Sequence, residues 1–129
     1  MPHLSFEYSA GLEARADLPG FAAHIRDAMM ETGTFPLAGT RVRGHRADVS
    51  VTADGGEHDF LHMTLKMGVG RDDATKEAVA EAIYVAAEAW LKPRLEGASV
   101  AVSLELLELP QPTLSIKRFN TIRDHLAEG

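Results

Sequence analysis

The sequence predicts an α+β fold (α/β in its connectivity). Two consecutive βαβ units build a four-stranded mixed sheet with two helices on one face, and a short C-terminal arm follows. Three observations predict it. Apolar residues alternate with polar ones at residues 3–8, 59–67 and 99–108, the period of a half-buried strand. Helical periodicity fills the long intervals after the first and third strands. Glycine and proline separate these segments, yet no linker divides the units, which span about 2–56 and 57–112 of one domain, 1–129, with the arm at 113–129.

Each element has its own local cause. Leu4, Phe6 and Tyr8 share one face of the first strand, and His3, Ser5 and Glu7 the other. Residues 9–16 read as a loop. Asp17-Leu18-Pro19 starts a helix with a capping acid and a first-turn proline. Leu18, Phe21, Ala22, Ile25 and Met29 carry it to about Thr32, and Gly33 stops it. The turn-rich stretch Phe35–Gly39 leads to a strand at 40–51, where Arg41, Arg43 and His45 alternate with Val42 and Gly44. Ala53–Gly56 is a turn. The strand at 59–67 sets Leu61, Met63, Leu65 and Met67 against His62, Thr64 and Lys66. Asp72 and Asp73 open the second helix, where acids complement the helix dipole. Val79, Ile83, Ala86 and Trp90 mark its apolar face, and Pro93 ends it. Val100, Val102, Leu104 and Leu106 form one face of the last strand, which Pro110 and Pro112 break. Residues 115–126 read as a small helix or arm. Both helices pack on one sheet face. The other includes apolar residues and is expected to meet another copy of the chain.

Composition narrows the function. Apolar residues make up 45% of the chain, enough for a core, but so short a chain gains from oligomerisation. A net charge of -6 disfavours nucleic acid and anionic membranes as partners. No apolar run is long enough to span a bilayer, and Glu7, Glu13 and Asp17 interrupt any signal-like start, so a cytoplasmic location is expected. There is no cysteine, hence no disulfide and no thiolate chemistry.

The residues that remain point to acid–base chemistry. Pro2 follows Met1, and removal of Met1 turns its nitrogen into a secondary amine at the start of a strand. Burial or nearby positive charge leaves such an amine a free base at neutral pH. A proline here also has a plain structural use, since its missing N–H does no harm at a strand start. Arg41 and Arg43 are two apart on a strand and share a face, and Arg71 lies at a strand-to-helix junction. Arginine holds carboxylates bidentately, so the three suit a di- or tricarboxylate; alternatively they are solvated surface charges. Gly68-Val69-Gly70-Arg71-Asp72-Asp73 fails the dinucleotide fingerprint, because Asp73 replaces the third glycine and the acids repel a pyrophosphate. His58 and His62 are separated by about 13 Å on a strand, too far for one metal ion. No Gly-x-Ser-x-Gly elbow is present. An amine base beside arginines suits proton abstraction next to a carbonyl, with the cations stabilising a dienolate.

Four segments carry a resemblance: the Met1-Pro2-His3 start, Ala16-Asp17-Leu18-Pro19-Gly20, Phe35-Pro36-Leu37-Ala38-Gly39-Thr40-Arg41-Val42-Arg43, and His62-Met63-Thr64-Leu65-Lys66-Met67-Gly68-Val69-Gly70-Arg71. Together they resemble the 5-carboxymethyl-2-hydroxymuconate isomerase family of the tautomerase superfamily, over nearly the whole chain. The resemblance implies a duplicated βαβ tautomerase fold and a homotrimer without cofactor or metal. It implies Pro2 as the catalytic base and Arg41 and Arg71 as substrate-binding residues, with Arg43 adjacent to them. The implied reaction moves a proton from the 2-hydroxyl of a dienol to C5, in homoprotocatechuate catabolism. Two other functions stay open on sequence alone: a broader keto–enol tautomerase of 2-hydroxydienoates or arylpyruvates, and a non-catalytic trimeric binding module.

Overall fold

Strand order in the computed structural model is β2-β1-β3-β4, with β1 at His3–Ser9, β2 at Arg41–Ala47, β3 at Asp59–Met67 and β4 at Val100–Glu108. The structure describes residues 1–128; Gly129, the end of the expected arm, lies outside the described residues. β1 pairs with β2 and β3 with β4 in parallel, while the central β1–β3 pair is antiparallel. The sheet is therefore mixed, as expected. Each parallel pair needs a crossover, and α1 (Leu18–Glu31) and α2 (Asp73–Leu91) supply them. Because the two halves run oppositely, the starts of β1 and β2 share an end of the sheet with the finishes of β3 and β4.

The core lies between the sheet and the two helices. Leu4 and Phe6 of β1 and Leu61, Met63, Leu65 and Met67 of β3 face Phe21, Ile25 and Met29 of α1 and Val79 and Ile83 of α2. Phe6 meets Phe21 edge-on at 5.0 Å between centroids, a favoured aromatic geometry. Gly44 on β2 makes room for it, since a Cβ there would collide with the Phe6 ring.

Two sequence expectations need correction. The strand expected at 40–51 ends at Ala47, which pairs with Ser9, the last residue of β1. Past that point the ladder has no neighbour, and Arg46 Nε instead donates to Asp48 Oδ1 at 2.8 Å. The buried stripe of α2 runs Val79, Ile83, Ala87 and Leu91, not through Ala86 and Trp90. Trp90 lies on the flank of the stripe, beside Phe21 at 5.5 Å and under the Arg94 guanidinium at 3.7 Å. The open face of the sheet is polar with a few apolar members, as the alternation predicts. His3, Ser5 and Glu7 line up with Arg43 and His45 on one side and with His62, Thr64 and Lys66 on the other, and Ser103 and Glu105 follow on β4. Phe60, Ala101 and Leu107 are its apolar members.

After β4 the chain turns at Pro112–Leu114, runs on to α3 (Ile122–Glu128), and places that helix against the Leu37–Gly39 turn. The tail is thus both extended arm and short helix. No helix among the described residues is long and apolar enough to cross a membrane.

Candidate active site

Pro2 is buried at the start of β1. Its carbonyl accepts the Arg41 backbone N–H at 3.2 Å. This bond extends the parallel register that pairs His3 with Arg41, so the β1–β2 ladder itself sets Arg41 beside the amino terminus. The Leu37–Gly39 turn closes over the same point. A Cβ on Gly39 would lie in ordinary contact, 3.8 Å from both Pro2 Cδ and Met1 Cγ, so the turn borders the amino terminus directly.

The same connection between α1 and β2 holds both arginines. Arg41 Nη1 donates to the carbonyls of Ala38, at 2.8 Å, and Thr40, at 3.1 Å. Arg71 leaves the end of β3 through Gly70, whose φ of 127° favours glycine. Its Nη2 donates to the Thr34 carbonyl at 3.2 Å, and its guanidinium carbon sits 5.4 Å from the centre of the Phe35 ring. Arg43 is directed elsewhere: its Nη1 is 3.0 Å from His3 Nδ1 on the open sheet face.

The terminal amine in this structure is that of Met1, and the nitrogen of Pro2 is an amide while Met1 is attached. The Met1 amine stands one residue outward of the amine that Pro2 would carry. Its pKa is lowered from 8.0 to about 6, first by burial, then by the Lys117 ammonium within hydrogen-bond reach, and then by Arg71 and Arg41. The His3 ring is also shifted downward, first by burial and then by Arg43, Arg41, the terminal amine and Lys66. The amino terminus therefore lies where protonation is disfavoured and an anion is welcome.

Sequence reasoning missed Lys117. It is one basic residue in a mixed-charge tail, and its effect on the Met1 amine joins the two ends of the sequence, which no local pattern conveys. The histidines are engaged away from this point. His58 contacts Asp54 Oδ1 and Ser99 Oγ, each at 2.7 Å, and His62 contacts Ser103 Oγ at 2.7 Å and Glu105 Oε1 at 3.2 Å. Among the described residues no group of three or more His, Asp or Glu side chains is placed to hold a metal ion.

A duplicated βαβ sheet with its amino terminus set among cations is a tautomerase fold. Within that class, residues 2–126 match the model for 5-carboxymethyl-2-hydroxymuconate isomerase, and the chain belongs to this isomerase family. It is 38% identical over 122 residues to the 5-carboxymethyl-2-hydroxymuconate Delta-isomerase of Escherichia coli, covering 93% of this chain and 95% of that protein. A crystal structure of a 5-carboxymethyl-2-hydroxymuconate delta-isomerase superposes with a TM-score of 0.91 at 28% identity, covering 100% of this chain and 95% of that one. The fold also matches a fused 4-OT wild type symmetric trimer, Q0, with a TM-score of 0.59 at 22% identity over 82% of this chain and 85% of that one.

Proposed function

We propose that this isomerase converts 5-carboxymethyl-2-hydroxymuconate to its 2-oxo-3-ene isomer, with Pro2 as the base once Met1 is removed. One observation carries the reading: Pro2 is buried with the Arg41 backbone bonded to its carbonyl, and the Met1 amine next to it is lowered to about 6 by burial and by Lys117, Arg71 and Arg41. A base with a pKa close to the working pH is best matched to proton transfer.

The step balances without an outside reagent. The Pro2 nitrogen takes the proton of the 2-hydroxyl, and the O–H electron pair becomes the second bond of the 2-oxo group. The C2–C3 double bond shifts to C3–C4, and the electrons of the former C4–C5 double bond take a proton from the prolinium at C5. Substrate and product share one composition, and the amine returns to its free-base form. The reaction therefore calls for no cofactor. Arg41 and Arg71 bind carboxylates and stabilise the charge that develops on the 2-oxygen. Arg43, turned to His3, serves at the rim of the site. The polycarboxylate substrate is a step in the breakdown of homoprotocatechuate, and a cytoplasmic site of action fits a soluble intermediate of this kind.

The working form in this proposal is a homotrimer. Val49 and Val51, between β2 and β3, are 91% and 83% exposed, and Ile116 and Phe119 of the arm are 72% and 90% exposed. Apolar side chains this open in a single chain are suited to burial between copies, and closed symmetry satisfies them all. Light scattering checks the assembly: a mass three times that of the chain is expected, and a stable monomer at micromolar concentration would contradict it. For the chemistry, the mass of protein from its native host should lack Met1. A protein that retains Met1 and still isomerises the substrate would remove Pro2 from the mechanism.

A further inference from the structure

We infer that residues 32–35 form a clamp that positions Arg71: the Thr34 carbonyl and the Phe35 ring hold its guanidinium, and the Thr32 hydroxyl fixes the bend that aims them. This rests on the isomerase reading above. The grip is direct. Arg71 Nη2 donates to the Thr34 carbonyl at 3.2 Å, and its guanidinium carbon lies 5.4 Å from the centre of the buried Phe35 ring. Both holding groups are neutral, and among the described residues no carboxylate oxygen lies within 4.0 Å of an Arg71 nitrogen. The clamp therefore sets direction and leaves the positive charge for a ligand.

The bend behind the grip is locked by one side chain. Thr32 follows the last residue of α1, where backbone carbonyls lose their helical partners. Its hydroxyl donates to the Met29 carbonyl at 2.7 Å and accepts the Thr34 N–H at 3.2 Å. Gly33, at a φ of 69°, turns the chain between them. Thr34 is thereby fixed through its N–H while its carbonyl faces Arg71. The same connection continues to the amino terminus. Pro36 follows Phe35, and a Cβ on Gly39 would lie 3.3 Å from Pro36 Cγ and 3.8 Å from Pro2 Cδ. The Ala38 and Thr40 carbonyls of this connection accept from Arg41. One short segment thus holds Arg71 at its start and meets Arg41 and Pro2 at its end. It sets the spacing of the two guanidiniums relative to the proposed base. A substrate whose carboxylates stand at fixed separations gains most when that spacing is fixed before it arrives.

The test uses the whole protein with Met1 removed, as verified by mass. Thr32→Val keeps the shape of the side chain and removes the hydroxyl, and Thr32→Ser restores it. With the proposed substrate, kcat/KM should fall roughly tenfold in Thr32→Val, mostly through KM, since misplacing a positioning group costs up to about 10²-fold. Thr32→Ser should recover most of the loss. Phe35→Leu keeps the segment apolar and removes the ring face, so a loss of roughly two- to fivefold is expected, the worth of a cation–π contact. Loss of the hydroxyl also lowers stability, as loss of any cap would, so the deciding readout is coupling. In an Arg71→Ala background neither change should cost more than about twofold, whereas groups acting independently of Arg71 would multiply their losses. Nuclear magnetic resonance of the ¹⁵N-labelled Arg71 guanidinium reads the clamp without substrate. In the parent protein hindered rotation should resolve its Nη signals, and in Thr32→Val they should coalesce. Circular dichroism verifies that each variant is folded at the assay temperature; should Thr32→Val not fold, Phe35→Leu measured against Arg71→Ala decides. Losses that multiply with that of Arg71→Ala, or Arg71 signals unchanged in Thr32→Val, would overturn the inference. Thr32-dependent Arg71 signals in a protein whose parent form lacks isomerase activity would instead retain the clamp and overturn the proposed reaction.

Discussion

The two ends of the sheet treat their arginines in opposite ways. At the far end, where β1 and β2 finish and β3 and β4 begin, cations meet acids. Arg46 reaches Glu13 at 3.2 Å and Asp48 at 2.8 Å, Arg15 lies 4.0 Å from Asp59, and His58 bonds to Asp54. At the amino-terminal end, Arg41 and Arg71 donate to backbone carbonyls of Thr34, Ala38 and Thr40 instead. A neutral carbonyl fixes the direction of a guanidinium but leaves its charge uncompensated. A charge already matched by a carboxylate has little left for a ligand, whereas one held by neutral carbonyls keeps its net charge and can still attract an anion. In the proposed function, the first end serves structure and the second serves binding.

Substitutions at the two ends should therefore separate activity from stability. The largest effect is expected from Pro2→Ala in processed protein. Turnover should fall within the range of about 10²- to 10⁴-fold typical of a lost general base, with the primary amine of alanine recovering part of it. Assembly by light scattering should be unchanged. Near-normal turnover would place the base elsewhere.

Next come Arg41→Ala and Arg71→Ala. Each removes a charged contact, and kcat/KM should drop roughly 10- to 100-fold while the melting temperature holds. The sign of the pH effect follows from the amine. Cations lower its pKa, so removing one raises the pKa, and more alkali is then needed to free the base. The rising limb of the rate should shift upward in pH, and more so for the arginine closer to the amine. Loss of stability without loss of binding would erase the contrast between the ends.

At the far end the order reverses. Ser9 is buried, donates to Asp59 Oδ1 at 2.7 Å and accepts the Phe60 N–H at 3.0 Å. Ser9→Ala strands that N–H and should cost about 1–3 kcal/mol by chemical denaturation, with kcat/KM intact. Arg46→Ala should have the smallest effect, since exposed ion pairs contribute little. Neither its melting curve nor its kinetics should differ measurably from the parent.

Much of this contrast was legible in the sequence. Period-two alternation located β1, β3 and β4, and the acid and proline at Asp17–Pro19 located the start of α1. Pro2, Arg41 and Arg71 stood out because amine and guanidinium chemistry fits a carboxylated enol, and the fold brings all three to one end. What periodicity could not convey was distance between remote segments. Arg41 lies by Pro2 because β1 and β2 are parallel and in register at His3 and Arg41, a fact of pairing and not of spacing. Arg43 shares a strand face with Arg41, but the ring of His3 draws it away. Ala86 and Trp90 fit helical intervals as well as Ala87 and Leu91 do; the size of Trp90 suggested a core role that the neighbouring stripe fills. Lys117 lowers the pKa of the Met1 amine from the far end of the sequence, a proximity that only packing creates.

The central claim is that the amino-terminal amine works as a free base at neutral pH because burial and unpaired cations disfavour its protonation. A nuclear magnetic resonance titration of the ¹⁵N-labelled Pro2 nitrogen in processed protein measures this directly. The account predicts a midpoint at about 6–7, in line with the value near 6 at the Met1 amine, and an upward move in Arg71→Ala. A midpoint at or above the ordinary α-amine value of about 8, unmoved by loss of Arg71, would contradict it.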